Sequence, residues 1–370
     1  MGGLGRCDEN ANYVIAETVL RAAVALTGVL GAVWSVSSAV RTMVIPRPER
    51  VWITMAAFNL ARRFARWLAS RTTSADRRHH ILGAFAPIVL ISLPAIWSVS
   101  VIISFSAIFW ALLGGSWFTA IELSGSSLTT LGFTLAPTFL TRLIAIAEAL
   151  IGLALVALVI SFLPTFYSTF SDREIAVGKI TVRAGEPPTT AEFLIRLHQL
   201  GRLEHMGERW ADWEEWFVKL GETHTSFPAL IYFRSDRPER SWLAAAETAL
   251  DSAVFVTATR LVPSTGQAET MIRSGYLALR TIADFYQVGS GNGGLTRSGG
   301  NRTDISIKRE SFNSLWERIE AGGIKLSVDQ DQAWKDFIGW RMNYEDALMG
   351  LKQQVGDVPS HWTMEPAPGG

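Results

Sequence analysis

Ser124-Gly125-Ser126-Ser127-Leu128-Thr129-Thr130-Leu131-Gly132-Phe133-Thr134 is a polar, hydroxyl-rich stretch set between two long apolar segments. Trp117-Phe118-Thr119-Ala120-Ile121-Glu122-Leu123 leads into it and suits a short helix. An apolar helix follows it. Gly132 is the residue that lets such a backbone leave ordinary helix or strand geometry at little steric cost, because glycine visits positive φ freely. The arrangement predicts a re-entrant pore loop. The plainer alternative is a re-entrant turn of small polar residues with no pore.

Outward from that loop the chain reads as a membrane protein with a large soluble part. Apolar residues make up 48% of it and charged residues 18%. No charge occurs between Arg78 and Glu122, a run far longer than the ~20 apolar residues a spanning helix needs. That run holds one helix at about 81–113 and then the loop. A second helix is expected at about 139–167, and a third, earlier one at about 13–45, with its best core after Arg21. Residues 46–80 carry Arg47, Arg50, Arg62, Arg63, Arg66, Arg71, Arg77 and Arg78, whereas residues 114–138 have no Lys or Arg. The positive-inside rule makes the first segment cytoplasmic and the second external, and a single first span puts the N-terminus outside. Glu17 and Arg21 interrupt the start of the chain, so no cleavable signal peptide is expected.

Within 46–80, Trp52, Met55, Phe58 and Phe64 are interleaved with Arg62, Arg63 and Arg66. This pattern predicts an amphipathic helix in the inner headgroup layer, with the arginines against anionic lipid. A solvated linker helix is the bland alternative. A nucleic-acid role for the basic cluster does not fit a segment beside a membrane helix in a chain of formal net charge zero.

Thr129-Thr130-Leu131-Gly132-Phe133 resembles the Thr-Thr-Val-Gly-Tyr core of the potassium-channel signature, and Arg142–Leu153 resembles the pore-lining helix of bacterial two-transmembrane channels. The resemblance covers roughly residues 81–170. It implies an all-α membrane protein with a potassium-channel-like pore: outer helix, pore helix, filter and inner helix. An extra N-terminal transmembrane helix (1–45, with its external tail) and a basic interfacial segment (46–80) precede the pore module (81–170). A mainly helical cytoplasmic domain (171–370) follows. The filter would be Thr129, Thr130, Leu131, Gly132, Phe133 and Thr134. Potassium would sit at the carbonyls of Thr130, Leu131, Gly132 and Phe133, with the Thr130 hydroxyl at the inner mouth and Leu131 and Phe133 packed behind. Permeant potassium is then the only ion required, with no cofactor. One chain supplies one pore loop, so the resemblance implies a homotetramer in the cell membrane, in contact with lipid.

The signature normally continues Gly-Asp, and this chain has Thr134-Leu135. A β-branched Thr134 at positive φ would be an outlier, and Leu135 removes the carboxylate that braces the outer mouth. A weakly selective cation pore is therefore the second reading. The third is a nonconducting membrane sensor or scaffold that keeps the pore fold for oligomerisation. Further down the inner helix, Gly152 is either a hinge or a site of close packing. Glu148, a carboxylate in an apolar helix, is expected to brace the filter, accept a bond from the pore helix or line a cavity, and Glu122 carries the same ambiguity. Pro164 would kink the cytoplasmic end. Phe162, Leu163 and Phe166 are constriction candidates there, unless they pack against other helices.

Beyond residue 171 the chain turns charged and Trp-rich. Amphipathic helices are expected at 190–203, 204–220, 242–262, 269–286, 311–321 and 332–351, with short strands possible near 175–182 and 230–234. Trp210, Trp213 and Trp216 follow helical spacing and read as core. Gly289-Ser290-Gly291-Asn292-Gly293-Gly294 satisfies G-x-G-x-x-G, but it neither follows a strand nor opens a helix, so it reads as a flexible linker at about 288–304. The single Cys7 excludes an intrachain disulfide and a cysteine zinc site. His198 and His205 are seven apart with Glu204 nearby, too little for a metal centre. No nucleophile–His–acid motif appears, so no enzyme is expected. The regulatory ligand or protein of this domain is not legible.

Overall fold

The computed structural model describes residues 4–45, 52–235, 237–263, 265–288, 305–356 and Trp362. The Gly-rich run after Val288, Arg47, Arg50 and His361 lie outside the described residues, as do the side chains of Cys7, Trp52 and Met55. Among the described residues every regular element is helical and there is no strand. Three helices are long and apolar enough to cross a membrane: Val14–Met43, Arg77–Leu113 and Phe139–Ala184. The chain divides into two compact units, one of residues 1–67 and 85–165, the other of residues 68–84 and 166–370.

In the first unit, α1 (Leu4–Met43), most of α3 (Ala75–Leu113), α4 (Trp117–Leu128) and the first part of α5 (Phe139–Ala184) carry the apolar residues. α3 is apolar all round, as expected of a helix solvated by lipid. Its hydroxyls bond back into their own helix: Ser104 donates to the Ser100 carbonyl and Ser106 to the Ile102 carbonyl. α1 packs on α3 through small residues. A Cβ at Gly28 would lie 2.5 Å from the Ser104 carbonyl oxygen, and one at Gly31 would lie 2.6 Å from the Ser104 hydroxyl. Ser35 and Ser100 share a hydroxyl–hydroxyl bond of 2.6 Å, and the Trp97 indole donates to Ser38. Small residues permit the close approach, and the hydroxyls join the helices across it.

α5 is 46 residues long and runs unbroken through Pro164. At 1.5 Å per residue it is about 69 Å long, over twice the ~30 Å hydrocarbon core. The expected end near residue 167 is therefore short. The strand considered at 175–182 is part of this helix, and the one at 230–234 falls on a 3-10 helix, Pro228–Tyr232. In the first case Val177, Ile180 and Ala184 are buried while Ile175 and Val182 are exposed, which is helical spacing and not alternation.

The second unit is built around α8 (Trp242–Thr259), buried along its whole length save Thr257. Around it lie α6 (Thr190–Gln199), α7 (Gly207–Ser226), α9 (Gly266–Tyr286), α10 (Arg309–Ala321), α11 (Gln330–Arg341) and α12 (Glu345–Val355). Thr189 caps α6 by accepting from the Glu192 amide, and Gly201 at φ +64 turns the chain after it. Trp210, Trp213 and Trp216 are core residues, with Trp210 and Trp213 against Phe193. The single helix expected at 332–351 is two, broken at Met342–Tyr344. The break lets the buried Arg341 and Tyr344 both turn toward α8, where they bond the buried Asp251.

Candidate pore-loop site

Ser116 opens α4 by accepting a hydrogen bond from the Phe118 amide. At the other end the chain folds back on the helix it has left. The Thr129 amide donates to the Gly125 carbonyl, Thr130 to Ser127, and Leu131 and Gly132 both to Ser126, at 3.1 and 3.3 Å. The Thr134 amide then donates to the Ser126 hydroxyl at 3.1 Å. Thr130 and Gly132 have left-handed φ values of 57° and 70°, while Leu131 between them does not. Such alternation undoes the helical rotation between successive peptides, so the amides gather on one side. The carbonyls of Thr130, Leu131, Gly132 and Phe133 accept no hydrogen bond from any described residue.

Thr134, where positive φ would be an outlier for a β-branched residue, is not left-handed, and its amide donates to the Ser126 hydroxyl. The β-branched residue that carries the strain is Thr130. Leu131 and Phe133 do not pack behind the loop within the chain, being 70% and 66% exposed. The Thr130 hydroxyl donates to the carbonyl of Thr129.

The return to α5 is fixed by Thr138 and Thr141, each accepting a bond from the other's amide. Arg142 Nε donates to the Ala136 carbonyl at 2.9 Å and so holds the descending arm. α5 then passes against α4. Its Glu148 is fully buried, with Oε1 against the Ser124 hydroxyl and Oε2 enclosed without a hydrogen-bond partner. Ser124 also reaches the Ile102 carbonyl of α3 at 3.1 Å, so one hydroxyl joins three helices. One turn below Glu148, a Cβ on Gly152 would sit 2.1 Å from the Leu128 carbonyl oxygen. Gly152 is thus the point where α5 touches the end of α4, which gives it a packing reason. Glu122 lies on the exposed side of α4 and makes no ion pair among the described residues.

The remaining sequence candidates lie elsewhere. Phe162 is buried in the first unit, near Pro164. Phe166 belongs to the second unit, edge-on to Phe227 and Phe233 at 6.1 and 4.7 Å. On α2 (Trp52–Ser70), Phe58 and Ala65 are buried, while Leu60, Phe64 and Trp67 form an exposed apolar strip. Arg63 and Arg66 lie exposed to one side of that strip, and Arg62 is half-buried. Ser124, Ser126, Thr138, Thr141 and Arg142 were not singled out from sequence. The Thr-x-x-Thr spacing at the start of α5 was the one available signal.

Compared with known proteins, the chain matches no family model, no curated protein and no solved structure.

Proposed function

We propose that this chain is the pore-forming subunit of a homotetrameric cation channel of potassium-channel type. The observation that carries the reading is the loop backbone: amides from Thr129 to Gly132 turned into the end of α4, and four following carbonyls with no donor. Around a shared axis, copies of these carbonyls would form rings that replace the hydration shell of a cation. The C-terminal end of α4 adds the negative pole of its dipole near the same point. Ser124, Glu148 and Gly152 hold the pore helix against the inner helix. Flow is passive, down the electrochemical gradient, and no chemical step is involved.

In this reading Leu131 and Phe133 are covered by neighbouring subunits, residues 46–80 and 171–370 are cytoplasmic, and the apolar strip of α2 lies in the inner headgroup layer with Arg63 and Arg66 along one side of it. The helical domain biases opening. One observation favours weak over strict selectivity. The left-handed alternation ends at Gly132, so the outermost ring lacks the geometry of those below it, and Leu135 offers no carboxylate.

Purified protein reconstituted in liposomes is expected to release potassium down a gradient. Reversal potentials in mixed sodium and potassium separate the selective from the weakly selective pore. Thr134→Gly frees residue 134 to continue the alternation and is expected to raise potassium preference; an unchanged ratio would refute that role. Absence of any cation flux from folded tetramer would leave the scaffold reading in its place.

A further inference from the structure

The second unit contains an open recess of about 690 Å³ where the end of α8, the start of α9 and one side of α11 meet. That volume lies within the range of small-molecule sites. Its lining is polar, and its charges are unequally engaged. Glu269 accepts a hydrogen bond from Thr265, and Asp336 accepts one from Gln332. The side chains of Arg260 and Lys335, both exposed, line the same recess and make no ion pair or hydrogen bond among the described residues. Two cations without an ion pair therefore face the same space as two carboxylates that each accept one neutral hydrogen bond and keep further acceptor positions.

Two further observations point to an occupant. Thr257 is among the residues at the recess, and its hydroxyl is closed off from solvent without a hydrogen-bond partner. Buried hydroxyls normally find one, as Thr259 does one turn back, at Phe255. Arg260 sits at φ 49°, ψ 39°, a left-handed cap where glycine is the usual residue. A non-glycine residue held there is strained, and such residues cluster at functional sites. The half-buried Trp340 adds an indole to the wall, and Gly339 beside it leaves open space.

We propose that this recess binds a small organic anion that carries a planar ring. The anionic group meets Arg260 and Lys335, and the ring lies against the Trp340 indole. Donor groups on the ring face Glu269 and Asp336. The site belongs to the second unit alone and does not rest on what the loop conducts.

Full-length protein in nanodiscs, titrated calorimetrically with adenosine monophosphate, adenosine and inorganic phosphate, tests this. The monophosphate combines ring and charge, and the other two probes carry one each. Saturable binding of one monophosphate per chain is expected, with adenosine and phosphate each at least tenfold weaker. Lys335→Ala and Arg260→Gly should each weaken the monophosphate tenfold or more. Glycine suits the left-handed backbone, so a loss in Arg260→Gly cannot be laid to misfolding. Trp340→Leu should weaken the monophosphate and leave phosphate unchanged. No saturable monophosphate binding, equal binding of adenosine, or full binding in both Arg260→Gly and Lys335→Ala would overturn the proposal.

Discussion

Glu148 has one oxygen on the Ser124 hydroxyl and the other enclosed without a partner. Ser124→Ala strips the only hydrogen bond from that buried carboxyl group and should destabilise the protein by about 1–3 kcal/mol. Adding Glu148→Leu removes the polar group as well, so the double variant should recover part of the lost thermal midpoint. Equal midpoints for the Ser124 single variant and wild type would show that the bond contributes nothing. Gly152 gives a second test. Its Cβ position is occupied by the Leu128 carbonyl oxygen, so Gly152→Ala must push α4 and α5 apart, at about 1–3 kcal/mol for overpacking. A glycine kept only as a hinge would instead tolerate alanine with no change in midpoint. From sequence the two roles of Gly152 were indistinguishable, because a glycine does not reveal what lies opposite it. Thr130 was hidden for a related reason. Left-handed geometry was expected at Gly132, where it is found, and the loop whose amides bond Ser126 and Ser127 adopts it at Thr130 as well.

The helices themselves were legible wherever one physical signal dominated. The uncharged runs between Arg78 and Glu122 and after Glu148 mark spans by length alone. The 175–182 segment misled because Ile175, Val177, Ile180 and Val182 favour strands, yet Val177, Ile180 and Thr181 are buried while Ile175 and Val182 are exposed. Interfaces between helices were less legible. Gly28, Gly31, Ser35 and Ser38 form a small-residue stripe on α1 that fits α3 at Ser100 and Ser104, a pattern visible in sequence only once the partner is known. Gly31→Leu should abolish this fit, since the Ser104 hydroxyl lies 2.6 Å from where the Cβ would stand. The expected outcome is loss of monodisperse protein on gel filtration, while Leu30→Ala on the exposed side of α1 should leave the profile unchanged. Similar profiles for the two variants would contradict the assigned interface.

For the molecule as a whole, the least legible feature is the polar cluster inside the second unit, whose members are some ninety residues apart in sequence. Arg341 bonds Asp251, Glu247 and Glu345, Lys352 bonds Glu247, and the Trp362 indole bonds Asp251. Arg341→Met would leave these carboxylates under-compensated in the core, at about 3–5 kcal/mol; a denaturation midpoint equal to wild type would contradict that. His224 links the same unit to pH. Burial foremost, and then the nearby Arg173 guanidinium, push its imidazole down to about 3 from an ordinary value near 6.5, against the pull of the Leu220 carbonyl. The unfolded chain binds this proton below about 6.5 and the folded one does not until about 3. Stability from this site is therefore complete above 6.5 and falls on acidification, by about 1.4 kcal/mol per pH unit within that window. Between pH 6 and 4, His224→Phe should lose stability less steeply than wild type by that slope; parallel curves would contradict the assignment.

In the proposed channel, the carbonyls of Thr130, Leu131, Gly132 and Phe133 from several subunits would converge on one axis. The most direct measurement is an ion-resolving map of the assembled protein in nanodiscs with potassium present. The account predicts four chains about a common axis, those oxygens facing it, and discrete density on the axis beside Gly132. Loops splayed apart, or turned into the interior of a single subunit with no density between them, would contradict it.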